Sequence, residues 1–282
     1  MKIKRVTLKK PTLNAYFNLI ETITEGKTHF FRGQSSAKWS LTPKLYRNPP
    51  FIKKEPEEDN DSRYTRCEEE MVERFFAEGM PYLQNAKRGF IADRIIAQHY
   101  GVPTRLLDWS RDPLVALFFA VQNAWVEDRK NRKGSTKTDK QTATDAAVFC
   151  INQMRTLRSK LYFDINDTKR NKIFKDLDSV KIGGILPPIV DQRIFMQKSV
   201  FTLQKWEATE EGKYKSIDQR GDITSTLNRD LTLKKIIIPA KIKTEILRKL
   251  FNYGVNRQFL FPGLQSVGEN IACWAEVKAI CK

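Results

Sequence analysis

The sequence predicts an α+β fold, because apolar stretches of strand and helix character alternate along it in an irregular order. AAVFCIN at residues 146–152 and LKKIIIPA at residues 233–240 are typical of strands, whereas DPLVALFFAVQNAW at residues 112–125 is long enough for a buried helix. A parallel doubly wound sheet would require strands and helices to alternate regularly along the chain. Of the 282 residues, 40% are hydrophobic, so we expect one domain over residues 1–282 with a sizeable core.

Two helices are predicted in the first part of the chain. RCEEEMVERFFAEGMPYL at residues 66–83 follows an acidic loop in which Asp61 or Ser62 can serve as the N-cap. ADRIIAQHYG at residues 92–101 ends on a glycine, which commonly lies just beyond the end of a helix.

A strand followed by a buried helix is predicted next. VPTRLLDWS at residues 102–110 forms the strand, and Pro113 suits the first turn of the helix, with Asp112 or Ser110 as its cap. Residues 127–145 are polar and basic, so we expect a flexible loop before the strand AAVFCIN.

The second half of the chain begins with a basic segment. Residues 153–182 hold eight basic and four acidic side chains and have weak periodicity, which indicates an exposed, mostly helical insertion. Strands are then predicted within QRIFMQKSVFTLQ at residues 192–204 and at residues 233–240, and a helix within KTEILRKLFNYG at residues 243–254.

The charge favours a polyanionic partner. Fifty Lys and Arg side chains against 33 Asp and Glu leave a net charge of +17 at pH 7, which favours RNA or DNA through phosphate neutralisation. The predicted nucleic-acid contacts are Lys130, Arg132 and Lys133 in the basic loop. A lysine-rich composition without any nucleic-acid role is the alternative.

Several classes of protein have no support in the sequence. There is no run of about 18 apolar residues and no apolar stretch behind the first charges, so we expect neither a membrane span nor a signal peptide, and a cytoplasmic location. GxGxxG, GxxxxGK[ST], HExxH and GxSxG are all absent. We expect free thiols and no metal site, because the chain has two histidines and four cysteines far apart, Cys67, Cys150, Cys273 and Cys281.

Three motifs hold most of the remaining unusual residues. They are FFRGQ at residues 30–34, QHYGVPTRLLDWS at 98–110 and QRIFMQKSVF at 192–201. Together they resemble the FRG domain, and the central block of thirteen residues is the most specific of the three. The chain departs from the family at Lys198, where a small residue such as glycine is more typical.

The FRG domain is similar to the ADP-ribosyltransferase superfamily. The resemblance implies mixed sheets flanked by helices, here with the basic insertion, and NAD as co-substrate without a metal. It also implies that Arg32 binds the NAD phosphates and that Gly33 lets the dinucleotide approach the backbone. The alternative for Arg32 is a structural ion pair with an internal carboxylate.

The resemblance and the residue types give the candidate site. The catalytic candidates are Arg32, His99, Asp108 and Gln197, and the cofactor-binding candidates are Arg32, Gly33, Gln34, Tyr100, Thr104, Arg105 and Ser110. Structural alternatives stay open for several of them: Asp108 could pair with Arg105, Ser110 could cap a helix, and His99 could be a satisfied structural residue. Where the superfamily usually has a glutamate, the corresponding element here offers Gln197, with Glu207 several residues on. Either the acid comes from elsewhere, for instance Glu69, or the glutamine suffices to orient the acceptor.

The resulting functional expectation is transfer of ADP-ribose from NAD to a nucleic acid, with RNA favoured over DNA. Such an activity would injure its own cell, so the resemblance implies a toxin-antitoxin or phage-defence effector with an antitoxin or inhibitor protein as partner. The alternatives are a noncatalytic nucleic-acid-binding module and ADP-ribosyl transfer to a protein.

Overall fold

A computed structural model of the chain describes residues 3–27, 29–48, 53–83, 88–125, 144–152, 182–187, 192–204, 206–220 and 232–280. Within these residues the fold is α+β, with one mixed sheet of seven strands flanked by helices. The strands are β1 Lys4–Thr7, β2 His29–Gln34, β3 Leu106–Ser110, β4 Ala146–Asn152, β5 Ile182–Ile185, β6 Ser199–Gln204 and β7 Leu233–Ile238. The helices are α1 Leu13–Thr24, α2 Asn60–Gly79, α3 Phe90–His99, α4 Pro113–Val121, α5 Gln192–Met196, α6 Lys243–Asn252, α7 Arg257–Leu260 and α8 Leu264–Ile280. The bulk of the predicted basic loop and insertion lies outside the described residues, as do Lys130, Arg132 and Lys133.

The sheet has the strand order β1-β7-β4-β2-β3-β6-β5. β1 runs parallel to β7, and every other neighbouring pair is antiparallel. β4 lies between β7 and β2 and is buried along its whole length, as its run of six apolar residues before Asn152 favours. The predicted strands at 146–152 and 233–240 are therefore confirmed.

The sheet is weakest between β2 and β3. β2 pairs with β4 from His29 to Gln34, whereas its pairing with β3 consists of Phe31 opposite Ser110. β3 instead pairs along its length with β6. The two strands therefore separate beyond Phe31, and this separation positions the cleft described below.

The helices of the first half lie close to their predicted places. α3 ends at His99 and is followed by Gly101, whose φ of +98° suits a glycine, as predicted. α4 has Asp112 as its N-cap, because the Asp112 carboxylate accepts a hydrogen bond of 2.8 Å from the Leu114 amide. The cap predicted for α2 is wrong: Asp59 caps it, accepting a 2.7 Å hydrogen bond from the Ser62 amide.

The segment at residues 192–204 is only half a strand. The helix α5 comes first, and the Gln197 amide donates to the Arg193 carbonyl at 2.8 Å, which continues the helical turn. Lys198 then adopts a φ of +47° and the chain reverses into β6. The strand interpretation of Arg193 and Gln197 is thus corrected, whereas the helix predicted within 243–254 is confirmed as α6.

Three of the cysteines are described, and each is a buried free thiol. Burial raises the pKa of Cys150 to about 12 and that of Cys273 to about 11. Across the described ranges no helix is long and apolar enough to cross a membrane, and no group of His, Cys, Asp or Glu side chains is arranged to hold a metal ion.

Candidate functional site

A cleft of about 360 Å³ opens where β2 and β3 separate. Its walls come from β2, β3, α3, α5 and the short 3-10 helix Lys44–Arg47. Of the predicted site residues it brings together Arg32, Gly33, His99, Asp108, Ser110 and Gln197. Gln34, Tyr100, Thr104 and Arg105 are not part of its lining.

Arg32 spans the gap between the two strands. Its Nη1 donates to the backbone carbonyl of Asp108 at 2.7 Å and lies 3.5 Å from the Asp108 carboxylate. The Arg32 Nε is buried without a hydrogen-bond partner in the described part of the chain. Burial lowers the pKa of Arg32, and the Asp108 carboxylate partly offsets that effect. A charged guanidinium with an unused donor is therefore held in the wall of the cleft.

Asp108 is held in place from both sides but remains accessible. Its Oδ1 accepts a hydrogen bond from Gln98 Nε2, whose own carbonyl oxygen accepts from the Thr104 hydroxyl. The Asp108 side chain is nevertheless 57% exposed. A chain from Thr104 through Gln98 thus fixes a carboxylate that still faces solvent in the cleft.

Sequence analysis missed Gln98 as a site residue. It lines the cleft and contacts the carboxylate directly. The available signal was its place as the first residue of the block QHYGVPTRLLDWS.

The cleft is strongly cationic. Arg32, Lys44, Arg47 and Arg193 line it, and Asp108 is the one acidic lining residue among those described. Lys44 Nζ donates to the Gly101 carbonyl at 2.6 Å, which places that ammonium beside the end of α3. Four cations against one carboxylate favour an anionic ligand.

Gly33 is required by the packing of α4 against β2. A Cβ at Gly33 would lie 1.8 Å from the Ala116 carbonyl oxygen and 2.6 Å from the Ala120 amide nitrogen. The resemblance had implied that a dinucleotide approaches the backbone here. The backbone of α4 occupies the space that a side chain would need, which is a second reason for glycine here; because Gly33 also lines the cleft, the implied approach of a dinucleotide stays a prediction.

Ser110 and Gln197 line the cleft but also hold its frame together. The Ser110 hydroxyl donates to the Gln197 carbonyl at 2.7 Å and accepts from the Asp112 amide at 2.9 Å. Gln197 Nε2 donates to the Leu260 carbonyl at 3.0 Å. These contacts tie the end of β3 to the turn after α5 and to α7, so they position the cleft wall.

Lys198 lies in a turn whose backbone would suit the glycine that the sequence analysis expected there. Its φ of +47° lies in the left-handed region that glycine adopts most easily. Its ammonium pairs with the Asp112 carboxylate at 2.7 Å. This ion pair joins the turn to Asp112, the N-cap of α4.

Arg105 does not contact the cleft, and its predicted cofactor role is corrected. The side chain is 1% exposed, and its Nε donates to Glu68 at 2.7 Å. Arg94 Nε donates to the same Glu68 oxygen at 2.8 Å. Burial acts to raise the pKa of Glu68, but the two arginines outweigh it and hold that pKa below its usual value. Arg105 thus belongs to a buried ion-pair network and is not paired with Asp108.

Three more predicted cofactor contacts lie elsewhere. Thr104 is fully buried and acts through Gln98. Tyr100 is 60% exposed and stacks on Phe75, with ring centroids 5.9 Å apart. Gln34 is buried and lines a second cleft next to this one. These three residues lie outside the lining of the Arg32 cleft, and their contact with a cofactor stays a prediction.

The two other candidate acids, Glu69 and Glu207, form ion pairs outside the cleft. Glu69 lies 3.8 Å from Arg94, and Glu207 pairs with Lys215 at 2.8 Å and with Arg220 at 3.5 Å. Neither lines the cleft. Asp108 is therefore the carboxylate available for chemistry in the described lining.

The comparisons with known proteins give one match. The family model of the FRG domain matches residues 27–129, which include β2, α3, β3 and α4 and so most of the cleft wall. No curated protein and no solved structure matches the chain.

Proposed function

Because the chain contains an FRG domain over residues 27–129, we propose that its Arg32 cleft binds NAD and that the protein transfers ADP-ribose from NAD to a nucleic acid, RNA before DNA. One observation carries this proposal. A largely buried arginine retains an unused donor beside an exposed carboxylate, in a cleft with three further cations. A phosphate-bearing ligand satisfies such an arginine, whereas an apolar ligand leaves its charge unpaired.

The size of the cleft fits part of a dinucleotide. Its volume of about 360 Å³ lies at the lower end of the ~300–1,000 Å³ that is usual for ligand sites. The diphosphate and one adjoining nucleoside would occupy it, and the rest of the dinucleotide would extend through the open side. In this proposal Arg32 binds the diphosphate, with Arg47 and Arg193 as neighbouring charges.

Asp108 takes the role of the acidic group. During transfer the bond between the nicotinamide nitrogen and the ribose C1′ breaks, and its electron pair leaves with nicotinamide. The acceptor forms the new bond to C1′ and releases a proton, which the Asp108 carboxylate accepts. The same negative charge stabilises the positive charge that develops on the ribose. Gln98 positions Asp108, and His99 lines the same cleft as a second proton acceptor.

The acceptor is proposed from the charge of the whole chain. A net charge of +17 supports a polyanion, and modification of RNA would block gene expression. The protein would then act as a toxin or a phage-defence effector that an antitoxin or inhibitor protein restrains.

The cationic cleft also supports a second candidate function. Arg32 and its neighbouring cations could hold a backbone phosphate as well as a diphosphate, which would make the chain a noncatalytic nucleic-acid-binding module. Transfer of ADP-ribose to a protein is the third candidate.

One experiment separates the three. The full-length protein is incubated with NAD labelled in its adenylate phosphate, together with RNA, DNA or a protein mixture, and nicotinamide release is measured in parallel. We expect label on RNA in the wild type, with transfer by Asp108→Asn reduced by about 10²- to 10⁴-fold. Glu78→Gln, which changes an exposed acid on α2, is the matched control.

The outcomes are distinct. Label on protein alone supports the third candidate. Nucleic-acid binding without any nicotinamide release supports the noncatalytic module and contradicts the proposed enzyme.

A further inference from the structure

A second cleft of about 880 Å³ adjoins the Arg32 cleft. It lies between the 3-10 helix Lys44–Arg47, the start of α2 and the segment 206–214. Arg47 lines both clefts. We call this second cleft the aromatic groove, because five rings line it, those of Trp39, Tyr46, Tyr64, Trp206 and Tyr214.

Four of the rings form a fixed wall. Tyr46 stacks on Tyr214 with centroids 4.3 Å apart, and Tyr64 stacks on Trp206 at 4.6 Å. The two stacked pairs meet edge to face, with Tyr46 and Trp206 at 5.2 Å. Trp39 differs, because 57% of it is exposed and no ring contact engages it among the described residues. An exposed indole beside a rigid aromatic wall offers a stacking surface for a base.

The groove is cationic. Lys38, Arg47, Arg63 and Lys213 line it, and no acidic side chain belongs to its described lining. Lys213 pairs with Glu211 at 2.8 Å, but both side chains are exposed, so this pair is weak and easily exchanged. The charge therefore complements a phosphate backbone.

Two buried polar atoms of the groove residues have no hydrogen-bond partner within the described part of the chain. They are the hydroxyl of Tyr46, which is 6% exposed, and Oε1 of Gln34, which is 5% exposed. The other end of the Gln34 amide donates to the Ser40 carbonyl at 3.2 Å. Buried polar atoms without partners are rare in proteins. Gln34 and Tyr46 therefore keep unused hydrogen-bonding capacity beside the groove.

From these observations we propose that the aromatic groove binds single-stranded RNA. A base stacks on Trp39, the cations contact the backbone, and Arg47 leads the strand towards the Arg32 cleft. Single strands are favoured because a base must leave its own stack to reach a protein ring. The inference rests on the proposed function in one respect, namely that this RNA is the acceptor of ADP-ribose.

The test uses a fluorescein-labelled, unstructured 12-nucleotide RNA and the full-length protein, with the dissociation constant measured by fluorescence anisotropy. Trp39→Ala should weaken binding by about 5- to 140-fold, which corresponds to ~1–3 kcal/mol for one stacked base. Lys38→Gln combined with Lys213→Gln should reduce the slope of log K against log salt by about 1.4, or ~0.7 for each phosphate contact.

Matched controls change similar residues elsewhere. Tyr253→Ala removes a ring that is 75% exposed, and Lys9→Gln with Lys10→Gln removes two exposed cations near α1. Both should keep wild-type affinity.

The failure of this inference differs from the failure of the proposed function. If the wild type releases nicotinamide from NAD but does not bind the RNA, or if Trp39→Ala binds it as the wild type does, the groove inference is overturned and the proposed cleavage of NAD at Arg32 stands. If Trp39 governs RNA binding but NAD is not cleaved, the groove stands and the enzyme proposal is lost. Equal affinity for duplex RNA, or for DNA of the same sequence, also overturns the inference.

Discussion

Replacing Gly33 by alanine tests the contact on which the cleft depends. The added methyl group would lie 1.8 Å from the Ala116 carbonyl oxygen and 2.6 Å from the Ala120 amide nitrogen. Both atoms are backbone, so no side-chain rotation can relieve the clash and α4 must move away from β2. Overpacking costs ~1–3 kcal/mol and occasionally more, and we expect a loss of about 3 kcal/mol because the contact is with backbone on both sides.

Thermal and urea unfolding measure this loss. At roughly 2–4 °C per kcal/mol for chains near this size, the melting temperature of Gly33→Ala should fall by about 6–12 °C. Gly268→Ala is the matched control: it lies in α8 with nothing within 4 Å of the added carbon, so it should raise stability by ~0.5–1 kcal/mol. A melting temperature of Gly33→Ala equal to that of the wild type would refute the packing of α4 on β2.

Three further predictions concern stability. Glu68→Gln should lower the free energy of unfolding by ~3–5 kcal/mol in urea titrations, because it removes the buried carboxylate that Arg94 and Arg105 share; a loss below about 1 kcal/mol would contradict this. Lys198→Gly should be more stable than Lys198→Ala by about 1 kcal/mol, since both lose the pair with Asp112 and only glycine avoids left-handed strain; equal urea midpoints would contradict it. Burial lowers the pKa of His29 below 6.5, so the unfolded state binds the proton more readily than the folded state. The urea midpoint of the wild type should therefore fall as the pH drops from 7.5 to 5, through and below 6.5. His29→Gln should make that fall smaller.

Elements with a strong local signal were predictable from the sequence. β4 coincides with AAVFCIN because six consecutive apolar residues suit a strand that is buried on both faces. The start of α4 was predictable because Pro113 fits a first turn and Asp112 can cap it. α5 was missed because five residues are too few to show helical periodicity, and its end depends on the unusual backbone of Lys198.

The candidate site was predictable only as separate residues. Arg32 and Asp108 were each identified, but they are 76 positions apart and meet because β2 and β3 diverge, which no local pattern encodes. The pairing of Arg105 with Asp108, an alternative to the cofactor role of Arg105, was suggested by their closeness in sequence. The fold instead puts Glu68 against Arg105, from a helix 37 positions earlier in the chain.

The central claim is that Arg32 binds NAD for cleavage, and the rate of nicotinamide release by Arg32→Gln tests it most directly. Arg74→Gln, which changes an exposed arginine on α2, is the matched control. We expect Arg32→Gln to lose at least about 100-fold in rate, as when a charged transition-state contact is removed. Its melting temperature should stay close to that of the wild type, because the carboxylate left behind is 57% exposed. Nicotinamide release at the wild-type rate by a folded Arg32→Gln protein, or its absence from the wild type, would contradict the account.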